Sequence, residues 1–214
     1  MATAETKQKI LDAAERLFAE HGYAATSMRQ LVNKAGVNLA AVHYHFQSKQ
    51  ELFIAVVERR LRPLNEQRMQ LLNELEEAAD GKPPTVERLV AALIEPIFRL
   101  GDDAQDVAWR KLIGRSRVEA GDHWRIAGEL HKQMFDRYVD AFRRALPEIP
   151  PRELAYRVYF LTGSVANALI DTRTMEVLGH GLARIGKNPR LLQKRVVALG
   201  IAIMEAPLSR ANVL

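Results

Sequence analysis

Thr26-Ser-Met-Arg-Gln-Leu-Val-Asn-Lys-Ala-Gly-Val-Asn-Leu-Ala-Ala-Val-His-Tyr-His-Phe-Gln-Ser-Lys-Gln-Glu-Leu-Phe53 decides the fold of this chain. Thr26 and Ser27 offer side-chain oxygens to the start of a helix over Met28–Ala35, with Leu31 and Val32 turned inward. Gly36 breaks the chain where a steep turn needs a residue that tolerates positive φ. Asn38 then caps a short helix running to about Phe46, and Ser48-Lys-Gln-Glu51 is a capping box that opens the next. Two short helices joined by a glycine turn read as a helix-turn-helix. The second helix of such a pair holds the domain with one face and enters a major groove with the other. Leu39, Val42 and Phe46, at i, i+3 and i+7, fit the inward face. Ala40, Ala41 and Tyr44 fall opposite, with His43 and His45 on the flanks. Small residues there let the backbone approach base edges, and Tyr and His beside them reach phosphates or bases. The two histidines are two residues apart, so their side chains diverge on a helix and do not form a metal pair.

The helix before this stretch covers roughly Glu5 to His21. Ile10, Leu11, Ala14, Leu17 and Phe18 share one face, and Gly22 sits just past its end as a C′ residue. Charge supports the same reading. The chain carries a net charge of +5 over 214 residues, with a pI near 9.6. Between Glu20 and Glu51 there is no acidic residue, while Arg29, Lys34 and Lys49 lie inside that window, where a polyanion approaches without repulsion.

The quoted stretch, together with Ile10-Leu-Asp-Ala-Ala-Glu-Arg-Leu-Phe-Ala-Glu-His-Gly-Tyr23, resembles the signature of the TetR family of repressors over about the first 55 residues. The resemblance implies an all-α protein that binds double-stranded operator DNA, palindromic in form, as a homodimer. It implies contacts to phosphate or base from Ser27 and Arg29, a groove-facing set of Ala40, Ala41 and Tyr44 edged by Asn38, His43 and His45, and a phosphate grip by Lys49. That last role also has a physical basis, since a helix N-terminus and a cation both favour anions. His43 stands where many members carry Tyr, so the resemblance does not extend to an operator sequence.

Helical patterning continues through the rest of the chain, giving about nine helices and no convincing strand. A long fourth helix, apolar at Leu52, Phe53, Val56, Val57, Leu61, Leu64 and Leu71, fades near Ala79, with a bend expected at Pro63. Asp80-Gly-Lys-Pro-Pro84 interrupts it, and Thr85 caps a fifth helix toward Leu100. Further helices are expected over about 104–117, 122–146, 152–174 and 189–206, with Pro151 suited to a first helical turn and glycines 179, 181 and 186 marking a loop. The expected division is an N-terminal helix-turn-helix domain over 1–48 and a larger ligand-binding and dimerisation domain over 49–214.

The eighth and ninth helices are apolar nearly all round and need partners on both sides. The family resemblance implies that they pair with their copies across a two-fold axis, through Leu154, Val158, Leu161 and Val165 on one and Leu192, Val196, Leu199 and Ile203 on the other. The alternative is a core entirely within one chain. A small-molecule pocket is expected among the helices of the larger domain, with Phe98, Trp109, Ile113, Met134, Tyr138 and Phe160 as apolar wall and Arg110, Ser164 and Asn167 as polar groups. Leu146-Pro-Glu-Ile-Pro-Pro-Arg-Glu-Leu-Ala-Tyr-Arg-Val-Tyr-Phe-Leu-Thr-Gly163 resembles the PsrA-like branch of the family, some of whose members respond to fatty acids, so a mostly apolar effector is expected.

Other classes fit poorly. The chain has no cysteine, which removes disulfides, thiol catalysis and cysteine metal sites and suits the cytoplasm. Its longest apolar run, Val196 to Met204, is too short to span a bilayer. Gly181-Leu-Ala-Arg-Ile-Gly-Lys-Asn188 mimics a phosphate loop but ends in Asn where Ser or Thr is required. Glu119 and His123 have a metal-compatible spacing, but Gly121 between them breaks a helix and no third ligand stands near. No cofactor, resident metal or enzymatic activity is expected. The competing readings are a small-molecule-binding protein without DNA activity, an activator and a helical enzyme.

Overall fold

A computed structural model of the chain describes residues 2–99, 103–115, 121–170, 177 and 189–208. Among them lie nine helices and no strand: α1 (Ala2–Ala25), α2 (Met28–Ala35), α3 (Leu39–His45), α4 (Lys49–Ala78), α5 (Val86–Phe98), α6 (Ala104–Arg115), α7 (Asp122–Ala145), α8 (Pro151–Ile170) and α9 (Pro189–Glu205). Glycines 179, 181 and 186, the 181–188 stretch, Glu119, residues 116–117 of the expected sixth helix and 171–174 of the expected eighth lie outside the described residues.

Side-chain oxygens set the helix starts. Ser27 Oγ accepts the Gln30 N–H at 3.2 Å and the Gln30 amide oxygen accepts the Ser27 N–H at 2.8 Å, a full capping box for α2. Asn38 Oδ1 accepts from Ala41 N at 2.8 Å, Ser48 Oγ from Glu51 N at 3.1 Å and Thr85 Oγ1 from Arg88 N at 3.4 Å. The box at α4 is shifted: the Glu51 carboxylate takes the Gln47 N–H, one residue ahead of the cap. Asp103 caps α6 by accepting from Gln105 N and Asp106 N, both at 2.8 Å. These amides, Asp106's foremost, hold its carboxyl below the ordinary range. Thr26 is not a cap. It is buried, and its hydroxyl donates to the Gly22 and Leu17 carbonyls at 2.7 and 3.2 Å, which ties down the break that Gly22 (φ 83°) makes in α1.

The chain divides into two compact units, 1–63 with 101–131 and 64–100 with 132–214. This packing division differs from the functional division at 48/49, because α6 and the first half of α4 pack with the N-terminal helices; the functional division stands as a proposal. In the first unit α1 lies against α6 and α2, and α3 touches α1 and α2. Ile10, Ala14, Phe18, Leu31, Val42, Leu52, Phe53 and Val56 are fully buried. Phe18, Tyr23 and Phe53 form a ring cluster with centroids 5.3–5.9 Å apart. A buried charge network ties α1, α4 and α6 together. Glu15 accepts from Arg59 and, at 2.8 Å, from Arg60 Nε. Arg59 also reaches Asp12 at 2.7 Å and Arg60 reaches Asp106 at 3.3 Å. Arg115 donates to the Ala19 and Glu20 carbonyls near the end of α1's regular part, as cations at helix C-termini do.

In the second unit α9 packs on α5 and α8. Gly200 makes that approach possible, since a Cβ on it would lie 2.7 Å from Leu161 Cδ1 and 2.8 Å from Val90 Cγ1. Gly200→Ala is therefore expected to cost about 1–3 kcal/mol in urea unfolding through overpacking; an unchanged midpoint would mean that α9 shifts freely. Six of the eight positions expected at a dimer interface are engaged in this packing. Leu154, Val158 and Leu161 (each 0 % exposed), Val165, Leu192 and Val196 are buried within the chain's own core. Of the eight, Leu199 is half exposed and Ile203 half-buried. The sides of α8 and α9 left open carry instead Tyr156, Tyr159 and Phe160, and Leu191 with Leu199. Two apolar faces per helix gave no phase to choose between them; the packing of α9 on α5 and α8 chose.

Candidate DNA-binding surface

The helix-turn-helix is built by its two caps and its turn. Gly36 adopts φ 65° and its N–H returns to the Val32 carbonyl, closing α2. The next two residues bring Asn38 into an extended cap that starts α3. Val42 and Phe46 then fill the buried side of α3 at 0 and 4 % exposure. Leu39 departs from expectation: at the first helical position it is 47 % exposed and does not belong to the inward face.

The opposite side is open. Tyr44 is 77 % exposed, Asn38, Ala40 and His43 are exposed, and Ala41 and His45 are half-buried. The Tyr44 and His45 rings meet edge to face at 5.1 Å. Ser27 and Arg29 at the start of α2 are exposed as well, so the structure leaves them free to meet a ligand; Ser27's hydroxyl is at the same time engaged in its capping box. Lys49, at the start of α4, does not simply point to solvent. Its ammonium lies 4.5 Å from the centre of the Tyr23 ring and 3.4 Å from the Ala24 carbonyl, and burial lowers its pKa. An ammonium has three donors, so one acceptor and one ring face fix its position while further N–H directions are not used by these contacts. Gln30, the capping-box partner, was legible as the fourth residue of Ser27-Met-Arg-Gln and was overlooked.

Comparison with known proteins fits this geometry. A family model described as "Bacterial regulatory proteins, tetR family" matches residues 10–56, and one described as "Tetracyclin repressor-like, C-terminal domain" matches residues 91–198, half of the chain by itself. The chain belongs to the TetR family. The HTH-type transcriptional regulator AcrR of Shigella flexneri is 43 % identical over 54 residues, 25 % of this chain and 25 % of that protein. The match thus spans a quarter of the relative. The fold is shared with the fatty acid degradation regulator FadR of Bacillus halodurans (TM-score 0.67, 16 % identity, 96 % of this chain and 97 % of that one). It is also shared with AibR, solved with isovaleryl coenzyme A and operator DNA (TM-score 0.62, 19 % identity, 95 % and 100 %).

The residues read as an effector pocket on this TetR-family chain are distributed as follows. Trp109, Met134 and Tyr138 are buried, at 2, 4 and 0 % exposure. Phe98, Arg110, Ile113 and Ser164 are half-buried, and Ser164 donates its hydroxyl back to the Leu161 carbonyl at 2.8 Å. Phe160, 60 % exposed, and Asn167 are exposed. Tyr138 donates to the Arg68 carbonyl at 2.9 Å, and its burial pushes its pKa well up, which keeps it a neutral donor. Among the described residues no group of three or more His, Asp or Glu side chains comes together as a metal site, and no helix is long and apolar enough to cross a membrane.

Proposed function

We propose that this chain is a ligand-responsive transcriptional repressor of the cytoplasm, without enzymatic activity, that holds a palindromic duplex as a homodimer. One observation carries the reading: the front of α3, with Tyr44 at 77 % exposure among exposed Asn38, Ala40 and His43, is uncovered and lies in a segment free of acidic side chains. Tyr44 offers an outside partner both an aromatic face and a hydroxyl, the combination that favours tyrosine at interfaces. Ala40, Ala41, Tyr44, His43 and His45 are assigned to the groove, Asn38 and Ser27 to its edge, and Arg29 and Lys49 to phosphates. The open aromatic side of α8, Tyr156, Tyr159 and Phe160, with Leu191 and Leu199 on α9, is assigned to the second copy, since it is the apolar surface that a self-complementary two-fold contact requires. Two copies then present their α3 helices to successive major grooves, about 34–36 Å apart.

The effector is a small, mostly apolar molecule of the fatty-acyl kind, as in the PsrA-like branch; FadR and AibR, described as a fatty acid degradation regulator and as bound to an acyl coenzyme A, support that class. It acts by population shift: a ligand releases DNA only by binding better to the conformation whose helix spacing misfits the operator. The test is a mobility-shift titration against the DNA flanking the chain's own gene, over a series of salt concentrations. Two chains bind each duplex. With Arg29 and Lys49 on both copies making about four phosphate contacts, log K falls with log salt at a slope of about −3.6. A flat salt dependence would remove the phosphate roles, and no binding to any flanking duplex would remove the repressor reading.

A further inference from the structure

Among the described residues, most buried charges face an opposite charge. Glu15 meets Arg59 and Arg60, Asp106 meets Arg60, and Arg157 meets Glu153 at 2.9 Å. Arg68 on α4 is 6 % exposed, and no described carboxylate pairs with it. It occupies a seat meant for an apolar side chain, since Leu61, Leu64, Arg68 and Leu72 recur at i, i+3, i+7 and i+11 on one helix face and all are buried. Its neighbours are neutral. Nε donates to the Leu93 carbonyl at 2.8 Å and Nη1 to Asn65 Oδ1 at 3.4 Å. Three residues further along α5, Pro96 has no N–H to return to the Ala92 carbonyl. Tyr138 on α7 anchors the arginine's own backbone carbonyl.

Carbonyls orient a guanidinium but do not neutralise it, and burial lowers the pKa of Arg68 to about 10. A leucine or methionine at this seat would be better tolerated by the fold. Five N–H donors are present, and the contacts above use two. Leu72 stands one turn on from Arg68 in α4, Leu89 one turn before the acceptor Leu93 in α5 and Phe142 one turn on from Tyr138 in α7; all four apolar residues are at most 1 % exposed.

We infer that Arg68 is the counter-charge for an anionic head group, a carboxylate or a phosphate, on an otherwise apolar effector. The inference rests on the effector-binding part of the proposed function and sharpens it: the ligand is amphiphilic, and its negative end is the part the protein cannot match internally. Arg68 thereby couples α4, α5 and α7 to the presence of the ligand.

The experiment is calorimetric titration of the full chain with sodium dodecanoate, dodecyl phosphate and dodecanol, each below its micelle concentration, beside Arg68→Met and Arg68→Lys. The wild type binds one of the two anions at least about a hundredfold more tightly than dodecanol, the scale on which an unpaired buried charge is felt. Whichever anion prevails separates carboxylate from phosphate recognition. Arg68→Met loses the preference and raises the melting temperature of the ligand-free protein, while Arg68→Lys keeps the preference. Equal binding of dodecanol, an anion preference surviving in Arg68→Met, or no binding of either anion overturns the inference. Should Arg68→Met fail to fold, the wild-type contrast and Arg68→Lys still decide. Ligand-free mobility shift separates the two proposals: anion binding without DNA binding sinks the repressor reading alone, and DNA binding without anion binding sinks this one alone.

Discussion

Ala40→Glu is expected to abolish operator binding while leaving the protein as stable as before. Ala40 is exposed at the second helical position of α3, so a longer side chain there displaces nothing in the core. A carboxylate in the first turn of a helix is favoured by the helix dipole, so α3 itself forms at least as readily. Against a duplex the same carboxylate faces phosphates inside a groove, and like-charge juxtaposition at an interface costs several kcal/mol. A loss of about a hundredfold or more in affinity follows, doubled in effect because both copies carry the change. Ala40→Gln, the same shape without the charge, loses much less. Mobility shift and thermal melting on the two variants check it. If Ala40→Glu binds the operator like the parent protein, α3 does not enter the groove with this face.

The second large effect concerns stability. Glu15 sits at 1 % exposure between Arg59 and Arg60, whose side chains are 20 and 18 % exposed. Truncating it leaves two nearly buried guanidiniums sharing only Asp12 and Asp106 at the edges. Removing one partner of a buried pair costs about 3–5 kcal/mol, a large share of the stability of a typical domain. Glu15→Ala is therefore expected to shift the urea midpoint sharply at fixed protein concentration, with Glu15→Gln in between because an amide oxygen still accepts. A cost below about 1 kcal/mol, the scale of exposed pairs, would show that the network is solvated and does not clamp α1 to α4 and α6. The same network explains why the first packing unit extends beyond the helix-turn-helix: α6 is attached to α1 through Arg60 and Asp106 and through Arg115.

Much of the site was legible because its determinants are local. A serine or asparagine three residues before a free amide caps it whatever the rest of the chain does, so the starts of α2 and α3 stood where Ser27 and Asn38 put them. Gly36 took positive φ because the turn demanded it. The open front of α3 followed from Val42 and Phe46 needing the other side. Leu39 was misjudged because a helix of seven residues has too few turns for periodicity to say whether its first apolar residue reaches the core. Along α4 the buried apolar positions after Pro63 proved to be Leu64, as expected, and Leu72, with the expected Leu71 only half-buried.

The amino-acid order alone determined where α2 and α3 begin, that they form a helix-turn-helix, and which side of α3 stays in water, because caps, breaks and amphipathic phase act over a few residues. Tertiary structure alone decided which face of α8 and α9 is covered and which charges end up buried together. A helix that is apolar all round carries no phase of its own, and an arginine in an apolar seam shows its lack of a partner only when the helices around it are in place.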